Sequence, residues 1–325
     1  MYKNILYGLL LTIIIVFLSF FYLITRNVPK NFCQIFHLLD KKYIILSLLF
    51  LFFFHTFDNL RIFVISRALG LKYSFFYGYA VSFVSTFGAT VTPAHIGGEF
   101  LPLYTLKRIG GNFHEIMSII TLKGFSGLFF YIIFFPFTLH VLINNPKEAK
   151  DLLILVSIII LISLLIYIIW VILFKKKESI FTKEQLIKIK YTTFKYLILC
   201  KNFFKNKKRY FFLALILSLL MYFSYIFIGI FLVKAFNNNS SMKTLFLDQL
   251  PLIYAIFISP TPGGSGVGEL GAIPIFDNFI AQEWVGIFAI FWRIVTQYLG
   301  AFIGGIIFLI LTWKDIANNK NVKLS

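Results

Sequence analysis

Long runs of hydrophobic residues, separated by short polar stretches, dominate the chain. A transmembrane helix needs about 20 predominantly apolar residues, and the runs that reach this length are predicted spans. They are Ile5–Ile24, Tyr43–Ile65, Ile116–His140, Leu152–Phe174, Phe211–Val233 and Trp284–Trp313. Two more hydrophobic runs, Ser74–Leu103 and Leu245–Ile280, are broken in the middle by proline and glycine. The pattern therefore predicts an all-α polytopic membrane protein.

The composition agrees with that prediction and excludes most soluble enzymes and DNA-binding proteins. Hydrophobic residues make up 59% of the chain and charged residues only 14%, with a mean hydropathy of +0.86. A soluble domain has about 25% charged residues. We expect one integral membrane domain over residues 1–325, with a first half at 1–174, a basic loop at 175–209 and a second half at 210–325.

The loop Lys175–Arg209 holds twelve lysine and arginine residues against two glutamates, a net charge of +10. Basic loops collect on the cytoplasmic side of a membrane, so this loop and both termini are predicted to be cytoplasmic. Its helical part is expected to lie on an anionic lipid surface. The alternative is a docking surface for a polyanion or a partner enzyme. The loop lacks the aromatic and glycine pattern of a nucleic-acid module, so we predict no nucleic-acid partner.

The two broken runs resemble each other. The first break, at 88–99, contains Thr-Pro-Ala-His-Ile-Gly-Gly-Glu over 92–99, and the second reads Ser-Pro-Thr-Pro-Gly-Gly-Ser-Gly-Val-Gly-Glu over 259–269. Each ends in a glutamate, and a cation, Lys123 or Arg293, follows that glutamate by 24 residues. The topology places the two units in opposite orientations, as in transporters built from inverted repeats with broken helices. We therefore predict about six full spans plus two re-entrant hairpins, with eight spans as the alternative.

Such breaks can bind an anion. A proline at the start of a half-helix loses no hydrogen bond, and glycines let a ligand approach the backbone. The free N–H groups and the positive end of the dipole then attract negative charge. Arginine adds a bidentate grip on phosphate or carboxylate. The predicted substrate-binding residues are Arg293, Glu269, Thr261, Pro262, Gly263, Gly264, Gly266, Glu99, Lys123, Thr92, Pro93, Gly97, Gly98 and His95.

Charged residues inside spanning helices also have a purely structural interpretation. One uncompensated charge at the centre of a span costs about 2.5–3.5 kcal/mol on insertion scales. Asp58 and Arg61, three residues apart in the second span, are interpreted as a structural ion pair. Glu269 and Arg293 could likewise form a staple between a hairpin and a helix, although their glycine-rich surroundings favour a substrate-binding role.

Other chemical signals are weak. The segment 266–271 fits GxGxxG but lacks the strand and helix that a dinucleotide site requires. No phosphate-binding loop of the GxxxxGK[ST] type, nucleophile–base pair or metal-ligand spacing is present in the sequence. We therefore predict no cofactor, no metal site and no catalytic residues.

At these residues the chain resembles the lysylphosphatidylglycerol synthase transmembrane region family, the membrane half of the multiple peptide resistance factor. The strongest match is the second break, from Pro260 to Glu269, followed by Arg293 and Gly300. The first break is a weaker match. The chain departs from the family at Lys123, where relatives tend to carry an arginine followed by an aspartate, and at His95, which has no counterpart.

The resemblance implies a flippase-like lipid translocase in a prokaryotic cytoplasmic membrane. The substrate would be a phospholipid, such as aminoacylated phosphatidylglycerol, or a lipid-linked sugar. The aminoacyl transfer reaction needs a large soluble domain, and twelve residues follow Trp313, so we expect no synthase activity. Two alternatives stay open: a membrane subunit that works with a separate lysyltransferase or glycosyltransferase, and a secondary transporter of a small anion.

Overall fold

The computed structural model describes residues 14–15, 17–22, 24–25, 39–174 and 183–322, and every regular element in these ranges is helical. The helices are α1 (Lys41–Ala68), α2 (Phe75–Val91), α3 (Gly97–Arg108), α4 (Phe113–Asn144), α5 (Pro146–Phe174), α6 (Lys183–Asn206), α7 (Lys208–Phe236), α8 (Met242–Ile258), α9 (Val267–Phe276), α10 (Val285–Arg293) and α11 (Leu299–Val322). Short 3-10 turns at Pro93–His95 and Pro262–Gly264 separate α2 from α3 and α8 from α9. The predicted all-α membrane architecture is confirmed.

The long apolar helices coincide with predicted spans. By length and composition, α1, α4, α7 and the continuous segment Val285–Ala317 can each cross a membrane. Helix α5, with 29 residues, covers the predicted span Leu152–Phe174. The first predicted span and residues 175–182 of the basic loop lie largely or wholly outside the described residues, although 17–22 are helical. The number of spans stays a prediction.

Local side-chain hydrogen bonds fix where several helices begin. The Asp40 carboxylate accepts from the Lys42 amide at 2.9 Å, and the Ser74 hydroxyl accepts from the Tyr77 amide at 3.2 Å. At α4, the Glu115 carboxylate accepts from the Asn112 amide at 3.0 Å in a capping box. Each cap satisfies a backbone donor that the first turn of a helix leaves free, so these residues set the loop–helix boundaries.

The broken runs form two helical hairpins, α2–α3 and α8–α9. Helix α3 has 12 residues and α9 has 10, so at 1.5 Å per residue they are about 18 and 15 Å long, well short of the roughly 30 Å hydrocarbon core. The hairpins meet at their tips, where the Ala94 amide donates to the Pro260 carbonyl at 3.1 Å. Half-length second helices and touching tips are what re-entrant hairpins require.

Two apolar cores flank the region where the hairpins meet. The larger one packs α7, α8, α9 and α10 around Leu252, Phe276 and Trp292. The smaller one packs α1, α2, α3, α4 and α7 around Ile62 and Leu106. A π turn at Ile294–Tyr298 joins α10 to α11. The polar residues of interest lie between these two cores.

Candidate functional site

A cavity of about 540 Å³ lies between the hairpins and the long helices. Its walls come from α1, α2, α3, α4, α7, α8 and the π turn. Its polar lining consists of Asp58, Arg61, Ser85, Thr86, His95, Glu99, Thr121, Lys123, Tyr131, Tyr222, Tyr225, Thr296 and Gln297. Two acidic and two basic residues therefore share one cavity within the helical bundle. This cavity is the candidate functional site.

The first predicted cation–glutamate pair lies in this cavity and is loosely held. The Lys123 ammonium is 3.4 Å from Glu99 Oε1 and donates to the Ser85 hydroxyl at 3.0 Å. The Lys123 side chain is 9% exposed, but the Glu99 side chain is 44% exposed. Glu99 Oε2 has no hydrogen-bond partner among the described residues. This pair therefore keeps capacity to bind an added group.

The Asp58–Arg61 ion pair predicted in the second span is confirmed. Arg61 Nη2 lies 2.6 Å from Asp58 Oδ1, and both side chains are at most 8% exposed. Ser82 donates to the other carboxylate oxygen at 2.7 Å, and Arg61 Nη1 donates to Ser218 at 3.2 Å. Arg61 Nε has no hydrogen-bond partner among the described residues. The pair is structural, but it also forms part of the cavity wall.

The second predicted pair, Arg293 and Glu269, does not line the cavity. Both side chains are 0% exposed, and Arg293 Nε is 3.0 Å from Glu269 Oε1. Arg293 Nη2 donates to the Gly263 carbonyl at 2.9 Å, and the Tyr298 hydroxyl donates to Glu269. The guanidinium also lies 5.3 Å from the centre of the Tyr298 ring. The geometry is that of the staple between hairpin and helix that was the structural alternative for this pair.

The other predicted residues of the second break are used internally. The Thr261 hydroxyl donates to the Ser265 carbonyl at 2.8 Å, and Pro262, Gly263, Gly264 and Gly266 are buried. None of these residues lines the 540 Å³ cavity. Their predicted role in substrate binding therefore has no support from the position of this cavity.

The predicted residues of the first break divide between two cavities. His95, Gly98 and Glu99 line the polar one. The remaining three, Thr92, Pro93 and Gly97, line a separate, mostly apolar cavity of about 620 Å³ on the other side of α3. Gly97 is needed for packing, because a Cβ there would lie 2.4 Å from the Gly88 carbonyl oxygen.

The two breaks share two consecutive left-handed residues but not the same residue types. Ala94 and His95 have φ angles of 50° and 58°, and the corresponding Gly263 and Gly264 have φ angles of 60° and 67°. Glycine adopts this left-handed region freely, whereas other L-residues are destabilised there by roughly 1–2 kcal/mol each. The first break therefore carries strain that the second avoids, although histidine is among the residues enriched in this region.

Sequence reasoning missed several lining residues. Tyr131, Tyr222 and Tyr225 lie in apolar helices, where aromatic residues look like core or lipid-facing positions. Thr296 and Gln297 reach the cavity from the π turn, a feature often found near functional sites. The signal available in the sequence was that each of these residues places a polar group inside a spanning segment.

Leu128 and Phe257 line the cavity and are 41% and 46% exposed, so they form part of its rim. The Phe257 ring stacks on Tyr131 with 4.1 Å between ring centres. An apolar rim around a charged interior suits an amphiphile. Among the described residues, no three His, Cys, Asp or Glu side chains lie close enough to hold a metal ion together.

Comparisons with known proteins identify the family of the chain. The family model described as "Lysylphosphatidylglycerol synthase TM region" matches residues 5–304. A protein described as "UPF0104 membrane protein" from Archaeoglobus fulgidus is 21% identical over 264 residues, covering 76% of this chain and 80% of the relative. The family match includes both hairpins and the polar cavity. This multi-pass membrane protein therefore belongs to the lysylphosphatidylglycerol synthase transmembrane region family.

Proposed function

We propose that the protein binds the polar headgroup of a membrane lipid in the 540 Å³ cavity and moves that lipid between leaflets of a prokaryotic cytoplasmic membrane. The observation that carries the proposal is the loosely paired Lys123 and Glu99 inside a cavity with an apolar rim. Membership of a family named for lysylphosphatidylglycerol synthesis supports a lipid substrate. The acyl chains would stay among lipids beside Leu128 and Phe257.

Lys123 and Glu99 can each bind a different group of the lipid headgroup. Lys123 is a point charge that can bind phosphate after giving up its contact with Glu99, which is long at 3.4 Å. The carboxylate of Glu99 can then accept from an amine through its unpartnered Oε2. Charge-assisted hydrogen bonds are about twice as strong as neutral ones. A headgroup that carries both phosphate and amine would therefore exchange one internal ion pair for two new ones.

The direct test is leaflet exchange in sealed vesicles, with phosphatidylethanolamine and phosphatidylglycerol labelled on an acyl chain and an impermeant quencher outside. We expect Lys123→Met to slow exchange at least tenfold, because the phosphate loses its cation. The matched control is Lys150→Met, which removes an exposed lysine of α5 and should leave exchange unchanged.

Exchange that is equal in the wild type and Lys123→Met would contradict the assignment of the cavity. A wild type that moves neither lipid would contradict translocation itself. Vesicles that accumulate a small anion without any lipid dependence would instead favour the small-anion transporter.

The basic helix α6 supports a second element of the proposal, binding to an anionic lipid surface. Phe194, Leu197 and Ile198 are exposed on α6, and Lys201 and Lys205 on the same helix are also exposed. Exposed apolar residues beside basic ones are typical of helices that lie at the headgroup level. The same surface is where a separate synthase or glycosyltransferase would dock if the protein is an accessory subunit.

A further inference from the structure

His95 combines an unusual backbone with an unused ring nitrogen. It follows Ala94 in two consecutive left-handed residues, where the second break has Gly263 and Gly264. A side chain at this position is not required by the left-handed backbone, because the second break has glycine at both corresponding residues. The strain is therefore associated with presenting an imidazole at the tip of the first hairpin, and strain of this kind collects at functional sites.

The ring is placed where a ligand could use it. His95 lines the 540 Å³ cavity, and its buried Nδ1 has no hydrogen-bond partner among the described residues. Buried polar atoms nearly always have a partner, and one that lacks a partner destabilises the protein. The ring makes a hydrogen bond to the Gly263 backbone and lies close to Arg293 of the second break, so the unpartnered Nδ1 of the neutral ring is an acceptor. It therefore lies where the two hairpins meet, facing the cavity.

We infer that His95 is a specificity-determining contact for the substrate, and that its Nδ1 accepts a hydrogen bond from an amine or hydroxyl group of the headgroup in the same cavity as Lys123. The inference rests on the function proposed above. Imidazole and ammonium contact different parts of a headgroup: Nδ1 accepts from an N–H or O–H group, and the Lys123 ammonium is a point charge for the phosphate. The two breaks thus have different roles. The second break has no side chain at these positions, and its Gly263 carbonyl instead accepts a hydrogen bond from Arg293.

Three variants distinguish the contribution of the His95 imidazole from that of backbone strain. His95→Gly keeps the left-handed turn and removes the imidazole. His95→Asn keeps both the turn and a hydrogen-bonding side chain, because asparagine tolerates this region. Ala94→Gly is the matched control, since it relieves the same kind of strain one residue away and leaves the ring in place. The Tm of each purified variant shows whether it is folded.

The probes are phosphatidylethanolamine and phosphatidylglycerol, followed by native mass spectrometry, and inorganic phosphate, followed by calorimetry. We expect His95→Gly to bind phospholipid at least tenfold more weakly than the wild type, with an equal or higher Tm. Ala94→Gly should bind like the wild type with a higher Tm, and His95→Asn should stay within about threefold of the wild type.

The outcomes separate this inference from the proposed function. Equal phospholipid binding by His95→Gly and the wild type would overturn the role of His95 and leave translocation standing. An equal loss of inorganic-phosphate and phospholipid binding in His95→Gly would place the contact on the phosphate and overturn the acceptor role of Nδ1. A wild type that binds neither probe would overturn both.

Discussion

The two hairpins make the same turn and carry the same pair of charges, yet one pair faces a cavity and the other is sealed. In the first half, Lys123 and Glu99 are 3.4 Å apart and the Glu99 side chain is 44% exposed. In the second half, Arg293 and Glu269 are 3.0 Å apart and both are fully buried. Two similar segments of the sequence thus give a cavity wall in one half and a structural joint, the buried Arg293–Glu269 pair, in the other.

The difference follows from the cation and from its neighbours. Arginine offers five donors in a planar fork, and Arg293 uses two of its nitrogens on Glu269 and the Gly263 carbonyl. Lysine has a flexible stem and a single charged group. Lys123 donates to Ser85 at 3.0 Å and makes longer contacts to Glu99 at 3.4 Å and to the Gly98 carbonyl at 3.5 Å. Each pair leaves one buried atom without a hydrogen-bond partner among the described residues, Arg293 Nη1 and Glu99 Oε2. The difference lies in exposure: the first pair faces a cavity and can exchange its contacts for a ligand, whereas the second is fully buried.

The largest expected effect comes from breaking the sealed pair. Arg293→Ala leaves Glu269 as a buried charge without its main partner, and removing one member of a buried pair typically costs about 3–5 kcal/mol. We expect a sharp loss of folded protein in detergent, measured as the Tm and as the monodisperse fraction on size-exclusion chromatography.

The double variant Arg293→Met with Glu269→Met is the control for that prediction. It removes both charges together, and replacing a whole buried pair by apolar side chains is often neutral for stability. The double variant should therefore be more stable than Arg293→Ala. If Arg293→Ala is as stable as the wild type but has lost leaflet exchange, Arg293 binds substrate, as the sequence predicted, and is not a structural staple.

A smaller loss of stability is expected from crowding the same joint. A Cβ on Gly268 would lie 2.6 Å from the Arg293 guanidinium carbon, so Gly268→Ala must displace the guanidinium, and overpacking typically costs about 1–3 kcal/mol. The matched control is Gly124→Ala in α4, where a Cβ would meet nothing within 4 Å. Alanine favours a helix over glycine by about 1 kcal/mol, so Gly124→Ala should have an equal or higher Tm than the wild type. An equal fall in Tm for both variants would contradict a loss of stability specific to the joint.

The smallest change in stability is expected at the open pair. Glu99→Gln removes one charge from a pair whose acid is nearly half exposed, and exposed pairs contribute about 0–1 kcal/mol. Its Tm should stay close to that of the wild type, unlike the Tm of Arg293→Ala. If Glu99→Gln unfolds as readily as Arg293→Ala, the two halves are structurally equivalent and the contrast drawn here is wrong.

Much of the architecture was readable from the sequence because it depends on local patterns. The apolar runs predicted the long helices, the Thr-Pro and glycine runs located both turns, and the spacing of Asp58 and Arg61 predicted their ion pair. The equal spacing of 24 residues in the two halves also singled out Lys123 with Glu99 and Arg293 with Glu269, although an ion pair was considered only for Arg293 and Glu269.

The exposure of each pair could not be read in the same way. Whether Glu269 faces a cavity depends on how Arg293, Tyr298 and the Gly263 carbonyl meet across some 30 residues of chain. Tyr222 and Tyr225 reach the cavity only because α7 presents one particular face to α4. Such facts come from how helices rotate against each other, which hydropathy does not encode.

The rotation of α11 about its axis, relative to α10, depends on the π turn at Ile294–Tyr298. One residue in an α-helix advances the direction of the side chains by about 100°, so a π turn, with its extra residue, shifts the phase of everything after it. Before the turn, Arg293 faces Glu269; after it, Gly304 lies against the Phe83 carbonyl, where a Cβ would be only 2.0 Å away. Both contacts are met by one helical segment because the turn sets the angle between them. Deleting one residue of the π turn would rotate α11 and remove its contact with α2. The number of residues in this turn is therefore constrained as well as the charged side chains around it.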